Sequence, residues 1–118
     1  MLPVKVTDRG VLIIGVRADL DIADRAAAAW AIDGVLNAHR SSPVVLELSD
    51  AVVSPAAVST VVRAHRRCRD AGVALAVVAS RTEARRTLAV ATGAQALDVH
   101  TALPLAVTAL SAPAGAAA

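Results

Sequence analysis

The sequence predicts a small single α/β domain, with a mostly parallel sheet, an N-terminal edge strand and helices packed on it. Its 118 residues are the length of one domain, and 56% of them are hydrophobic, which is enough for one core. From residue 11 onward, apolar runs rich in β-branched residues alternate with stretches of helical periodicity. Continuous apolar strands of this kind occur in parallel sheets whose faces are covered by helices.

Five segments predict the strands. Residues 4–7 predict a short edge strand, and residues 11–16 predict a buried one. Residues 44–48 and 73–78 repeat the continuous apolar pattern, and residues 97–99 predict a short last strand. Helical segments separate the last four strands, so these are expected to lie parallel in one sheet.

Residues 23–39 predict the first helix. Its apolar stripe consists of residues at helical spacing, namely Ala28, Ile32, Val35, Leu36 and His39. Trp30, the only aromatic residue of the chain, falls on the opposite side among small residues. An exposed Trp30 would be a candidate anchor for a second interface, whereas a bend or an overlapping element would bury it.

The second helix is predicted to begin at Pro55, with Ser54 as its N-cap, and to end near Asp70. Its inner positions are expected to be Val58, Val61, Val62, His65 and Cys68, and its outer positions Ser59, Thr60, Arg63, Arg66, Arg67 and Asp70. Residues 82–91 and 101–110 predict two further helices. The domain is expected to cover residues 1–110, followed by a flexible C-terminal tail at 111–118.

Composition narrows the classes of function. A net charge of +2 is too small for a nucleic-acid-binding signature, and a single aromatic residue excludes a base-stacking platform. The first residues do not resemble a signal peptide, and the longest uncharged stretch is too rich in small residues for a membrane span. The sequence therefore predicts a cytoplasmic protein without direct membrane insertion.

No residue pattern in the sequence points to catalysis, a cofactor or a metal. The glycines lack phosphate-loop spacing, and the histidines, expected to be half-buried and hydrogen-bonded, lack metal-ligand spacing. Cys68 lies among arginines, but its inward phase indicates an inert thiol. Asp19 and Asp21 follow a buried strand, where they would bind a cation, repel a phosphate or cap a helix.

Several segments, taken in their order along the chain, carry a resemblance to a known family. Residues 18–21 resemble a Gly-Glu-Leu-Asp segment, and residues 45–49 resemble a Leu-Asp-Leu-Ser strand. Residues 64–72 are similar to the end of a second helix, and the stretch from Thr92 to Leu103 is similar to a C-terminal part. Together these segments resemble the STAS family, in particular bacterial anti-sigma factor antagonists.

The resemblance implies a binding module and not an enzyme. In the family, the unphosphorylated domain binds an anti-sigma factor that is also a serine kinase, and the sigma factor is released. Phosphorylation of a serine at the start of the second helix breaks that complex, because a dianionic phosphate disfavours docking. The alternatives are a STAS subunit of a membrane transport ATPase complex and a small-molecule or nucleotide sensor.

The chain departs from the family pattern where the phosphorylated serine is expected. The family has Asp-Ser-Ser-Gly there, and this chain has Ser54-Pro55-Ala56-Ala57, so Ala56 or Ala57 stands at the acceptor position. Ser54, Ser59 and Thr60 are the remaining hydroxyls nearby. The expected function is therefore an anti-sigma factor antagonist-like regulator without the usual phosphorylation switch.

The resemblance places partner binding on the first half of the second helix and on the Asp19–Asp21 loop. The predicted contact residues are Asp19, Asp21, Ser54, Ala56, Ala57, Ser59, Thr60 and Arg63. Exposed alanines would let a partner backbone approach closely. The arginines of the outer face form either a solvated surface or a docking surface for an acidic partner, and a homodimer stays open.

Overall fold

A computed structural model describes residues 2–93 and 97–111. Within them the strands are β1 (Val4–Val6), β2 (Leu12–Val16), β3 (Val44–Leu48), β4 (Leu75–Val78) and β5 (Asp98–His100). The helices are α1 (Arg25–Ala38), α2 (Pro55–Asp70), α3 (Thr82–Thr92) and α4 (Leu103–Ser111), and a 3-10 turn (Ile22–Asp24) precedes α1. In this part of the chain, no helix has the length and apolar character that crossing a membrane requires.

The five strands form one sheet in the order β1-β2-β3-β4-β5. The edge strand β1 is antiparallel to β2, and each later neighbour pair is parallel. The predicted α/β architecture with an N-terminal edge strand is confirmed. Because each right-handed crossover moves one strand along the sheet, α1, α2 and α3 come to lie on the same face.

Two layers of apolar side chains cover the two faces of the sheet. Alternate residues of β2 and β3, such as Ile14 and Leu46, pack beneath α1, α2 and α3 in the larger core. Ile13 and Val45 point to the opposite face, where Ala106 and its neighbours on α4 cover them. The loops that follow β2 and β3 therefore meet at the carboxyl edge of a sheet that is buried on both sides.

Element boundaries differ from the sequence prediction by one or two residues at several elements; α1 and β4, for example, begin two residues later than predicted, at Arg25 and Leu75. β5 begins and ends one residue later than predicted, and α4 begins at Leu103, where Pro104 suits the first turn. Ser111, predicted to open a flexible tail, is the last residue of α4. The remainder of the predicted tail, 112–118, lies outside the described residues.

The predicted inner face of α2 is rotated relative to the face that the structure buries. Val61 and Cys68 are buried as predicted, but the other buried positions are Ala56, Ala57, Thr60 and Ala64. Small side chains let α2 pack against α1 as well as against the sheet, so the buried face turns toward α1.

His39 was also predicted on an inner stripe and is exposed. It is the C-cap of α1, with φ −126° and ψ 56°, and no longer follows the helical phase.

Candidate partner-binding site

The site consists of two loops at the carboxyl edge of the sheet, and we call it the loop platform. The β2–α1 loop (17–24) follows β2, and the β3–α2 loop (49–54) follows β3. β2 and β3 are adjacent and parallel, so both loops leave the sheet on the same side. This is the edge at which open α/β sheets bind their ligands.

Hydrogen bonds connect the β2–α1 loop to the β3–α2 loop. Ser49 Oγ accepts from the backbone N–H of Ala18 at 2.9 Å, and Ser54 N–H donates to the carbonyl of Ala18 at 2.7 Å. The hydroxyl of Ser54 donates to the carbonyl of Leu20 at 2.6 Å and accepts from Ala57 N–H at 3.1 Å. Ser54 is thus the predicted N-cap of α2 and also the tether that holds the β2–α1 loop in place.

The two aspartates of the β2–α1 loop are bound locally and separately. Asp19 accepts two hydrogen bonds of 3.1 Å from Arg17, and this bonding holds the pKa of the Asp19 carboxyl below its usual value. Asp21 caps the 3-10 turn by accepting from Ala23 N–H at 3.2 Å. Of the interpretations left open for this pair, the structure therefore supports the cap, at Asp21. Among residues 2–93 and 97–111, no three His, Cys, Asp or Glu side chains gather as metal ligands would.

The expectation that Ala56 and Ala57 form an exposed contact patch is wrong. Their exposed fractions are 5% and 0%, and they pack against Leu20 and Ala28. Thr60, expected on the outer face, is only 2% exposed, and its hydroxyl donates to the carbonyl of Ala56 at 2.9 Å. The reason is the close packing of α1 on the first turns of α2, which only small side chains permit.

Ser59 and Arg63 lie on the outer face of α2, as predicted. Arg63 makes two hydrogen bonds, of 3.0 and 2.9 Å, to the carboxylate of Asp33 on α1, and Arg67 contacts the same carboxylate at 2.8 Å. Partial burial raises the pKa of Asp33, but the hydrogen bonds and charges of the two arginines outweigh it and hold that pKa below its usual value. This Asp33–Arg63–Arg67 bridge ties α1 to α2.

Two residues of the loop platform were missed by the sequence analysis. Ile22, in the 3-10 turn, is 73% exposed, and Val52, in the β3–α2 loop, is 65% exposed. One such side chain stands on each of the two tethered loops, and this makes both residues candidates for contact with another protein. The available signal was an apolar residue inside each of two polar loops, away from any helix or strand periodicity.

The other candidate side chains take definite positions. Trp30 is 80% exposed, so the interpretation of an outward tryptophan holds and the buried alternative does not. Cys68 is buried, and this burial raises the pKa of its thiol despite nearby Arg67. His65 is half-buried, and within the described residues its Nε2 has no hydrogen-bond partner, contrary to expectation.

A cavity of about 820 Å³ opens beside the loop platform at the same edge of the sheet. Apolar residues including Leu20 and Leu48 line it, together with Asp24, Glu47 and Ser80.

Three solved structures of low sequence identity share this fold. The structure superposes on a variant of RsbS from Moorella thermoacetica that carries a serine-to-glutamate substitution, with a TM-score of 0.77 and 12% identity over 92% of this chain and 93% of that one. A crystal structure of TM1081 from Thermotoga maritima, described there as a proposed anti-sigma factor antagonist, gives a TM-score of 0.69 and 15% identity over 92% and 93% of the two chains. The solution structure of TM1081 gives a TM-score of 0.73 and 20% identity over 96% and 90%.

No curated protein sequence shows a significant match to this chain. The family model of the STAS domain matches residues 3–103. That match includes all five strands and both loops of the platform, and it ends at the first residue of α4. The chain belongs to the STAS domain family.

Proposed function

We propose that this protein is an anti-sigma factor antagonist-like regulator that binds an anti-sigma factor of the serine-kinase type. Three observations support the proposal: membership of the STAS family, a fold shared with RsbS and TM1081, and exposed apolar side chains on both loops of the loop platform. The loop platform carries the proposal furthest, because it presents exposed Ile22 and Val52 on loops that Ser49 and Ser54 hold in place.

The predicted contact set changes in the light of burial. The side chains of Ala56, Ala57 and Thr60 are buried beneath the loop platform, so they are not available for contact with a partner. Ile22 and Val52 supply apolar contact area in their place. Asp19, Asp21, Ser59 and Arg63 keep their proposed roles at the polar rim, where charged groups set specificity and association rate more than affinity.

We further propose that the usual phosphorylation switch does not operate at the start of α2. The two candidate acceptor positions are alanines, and the Ser54 hydroxyl is engaged on both sides as donor and acceptor. Thr60 is buried and bonded to the carbonyl of Ala56. Of the hydroxyls considered, Ser59 alone is exposed on α2.

Binding to the purified kinase-type anti-sigma factor of the same organism tests the first proposal by titration calorimetry. We expect a one-to-one complex that Ile22→Glu and Val52→Glu each weaken by about tenfold or more, since a charge would be buried at an apolar contact. The matched control is Val90→Glu on α3, because Val90 is also strongly exposed, at 82%, and lies outside the loop platform. Absence of a complex, or equal affinity of all three variants, contradicts the proposal.

Incubation with the same kinase and ATP, followed by mass spectrometry, tests the second proposal. We expect no phosphate between Ser54 and Thr60. Stoichiometric phosphate on any residue from Ser54 to Thr60, including the exposed Ser59, would contradict this proposal.

A further inference from the structure

A groove runs along the seam between α1 and α2, apart from the Ile22 and Val52 surface. We call it the seam groove, and it is lined by Arg25, Ala26, Ala29, Trp30, Ser59 and Arg63. The neighbouring side chains on α1 include alanines, which are too small to cover the indole of Trp30. Four-fifths of the surface of Trp30 is therefore exposed. An indole held in water beside arginine side chains combines the residue types that most often dominate protein interfaces.

The net positive charge of α1 and α2 indicates that the seam groove attracts an anionic group. Together α1 and α2 carry five arginines and two aspartates, a net charge of three positive units with histidine neutral. The whole chain has a net charge of +2, so the rest of the molecule is slightly acidic. The positive charge is therefore concentrated on the α1–α2 surface, where it lowers the energy of an approaching anionic group.

Asp33, the acidic residue in the seam groove, does not cancel the positive charge of α1 and α2. The carboxylate of Asp33 is bound by both Arg63 and Arg67, which leaves one positive charge in excess at that point. Among the described residues, Arg25 is in no ion pair. The lining of the seam groove thus contains two arginines, Arg25 and Arg63, against the single carboxylate of Asp33, together with the exposed indole of Trp30.

We propose that the seam groove binds an acidic segment of a partner protein. Asp or Glu side chains of that segment pair with Arg25 and Arg63, and a large apolar side chain packs on the face of Trp30. A second copy of this chain is the less favourable occupant, because it would bring two surfaces of net charge +3 together. The proposal goes beyond the proposed function: the seam groove shares Ser59 and Arg63 with the proposed rim, but its binding rests on Trp30 and Arg25 and not on Ile22 and Val52.

Selection from a displayed library of random peptides of about 12 residues provides the test. The wild-type protein is the bait, and Trp30→Ala removes peptides that do not need the indole. We expect the surviving peptides to carry an excess of Asp and Glu and at least one large apolar residue. Failure to enrich any peptide, or survivors without acidic excess, overturns the proposal.

Trp30 is the only fluorophore of its kind in the chain and reports directly on the seam groove. Addition of the strongest synthetic peptide is expected to shift its emission to shorter wavelength and to reduce acrylamide quenching. Unchanged emission at saturating peptide, or a shift that depends on protein concentration without peptide, overturns the proposal; the latter indicates a dimer.

Matched variants separate specific binding from general charge attraction. We expect Arg25→Ala and Arg63→Ala each to weaken the peptide about tenfold, and Arg86→Ala on α3 to change its affinity by less than about twofold. Equal losses for all three would mean that the peptide only senses net charge, which also overturns the proposal. Ile22→Ser, which removes the apolar side chain without adding charge near Arg25, leaves peptide binding unchanged, so failure of the proposed function and failure of this proposal are distinguishable.

Discussion

Replacement of Ser54 by alanine tests how strongly the loop platform depends on one hydroxyl. Ser54→Ala removes the N-cap acceptor for Ala57 N–H, a loss of about 1 kcal/mol. It also leaves the carbonyl of Leu20 without its 2.6 Å donor in a partly buried position, which costs about 1 to 2 kcal/mol more. The free energy of unfolding is therefore expected to fall by about 2 to 3 kcal/mol.

Urea unfolding followed by circular dichroism measures this loss. For a domain of this size, the predicted change lowers the melting temperature by roughly 8–12 °C. Ser59→Ala is the matched control in the same helix, because Ser59 is exposed, and it should stay within about 0.5 kcal/mol of wild type. Ser54→Thr keeps the hydroxyl and should recover most of the loss. A Ser54→Ala variant as stable as Ser59→Ala would refute the tether.

Three further predictions concern burial and charge. Ala57→Arg should lower the free energy of unfolding by more than about 3 kcal/mol by denaturant titration, whereas Ser59→Arg should be nearly neutral; a stable Ala57→Arg protein contradicts the burial of that position. The lowered pKa of Asp33 means that its carboxylate stabilises the fold fully above the unfolded pKa of about 3.9 and that this contribution disappears as pH falls through the lower folded value. Urea titrations of wild type and Asp33→Asn should therefore differ at pH 7, and the difference should shrink as pH falls below about 3.9; a pH-independent difference would exclude the charge as its cause. The thiol of Cys68 should react with a disulfide reagent at pH 8 more slowly than a free cysteine until urea unfolds the protein, and rapid reaction in the native state would contradict its burial and raised pKa.

The fold could be predicted from the sequence because its signals are long and mutually consistent. The apolar runs of β2, β3 and β4 allow few arrangements other than a parallel sheet, and Ser54-Pro55 marks the start of α2 without ambiguity. Boundaries moved by one or two residues at the ends of elements, as in the short strand β5 and at the start of β4, where the apolar run includes residues 73 and 74 that precede the strand.

The orientation of α2 could not be predicted because its decisive residues are alanines and a threonine. Alanine buries little surface, so its position contributes weakly to a hydrophobic pattern. The predicted inner face of α2 was therefore set by the larger residues Val58, Val62 and His65. Only the packing of α1 shows that Ala57 and Thr60 face inward. Sequence reasoning therefore placed the Asp19–Asp21 loop beside the start of α2, but it expected exposed side chains at Ala56, Ala57 and Thr60, which are buried.

The monotonic strand order has a consequence for synthesis on the ribosome. Every strand pairs with the one made immediately before it, so each new βα unit emerges beside an edge that already exists. Loop closures stay short, and none has to wait for a distant C-terminal segment. The chain is thus suited to vectorial, co-translational growth of its sheet, with α4 sealing the second face when the last strand is complete.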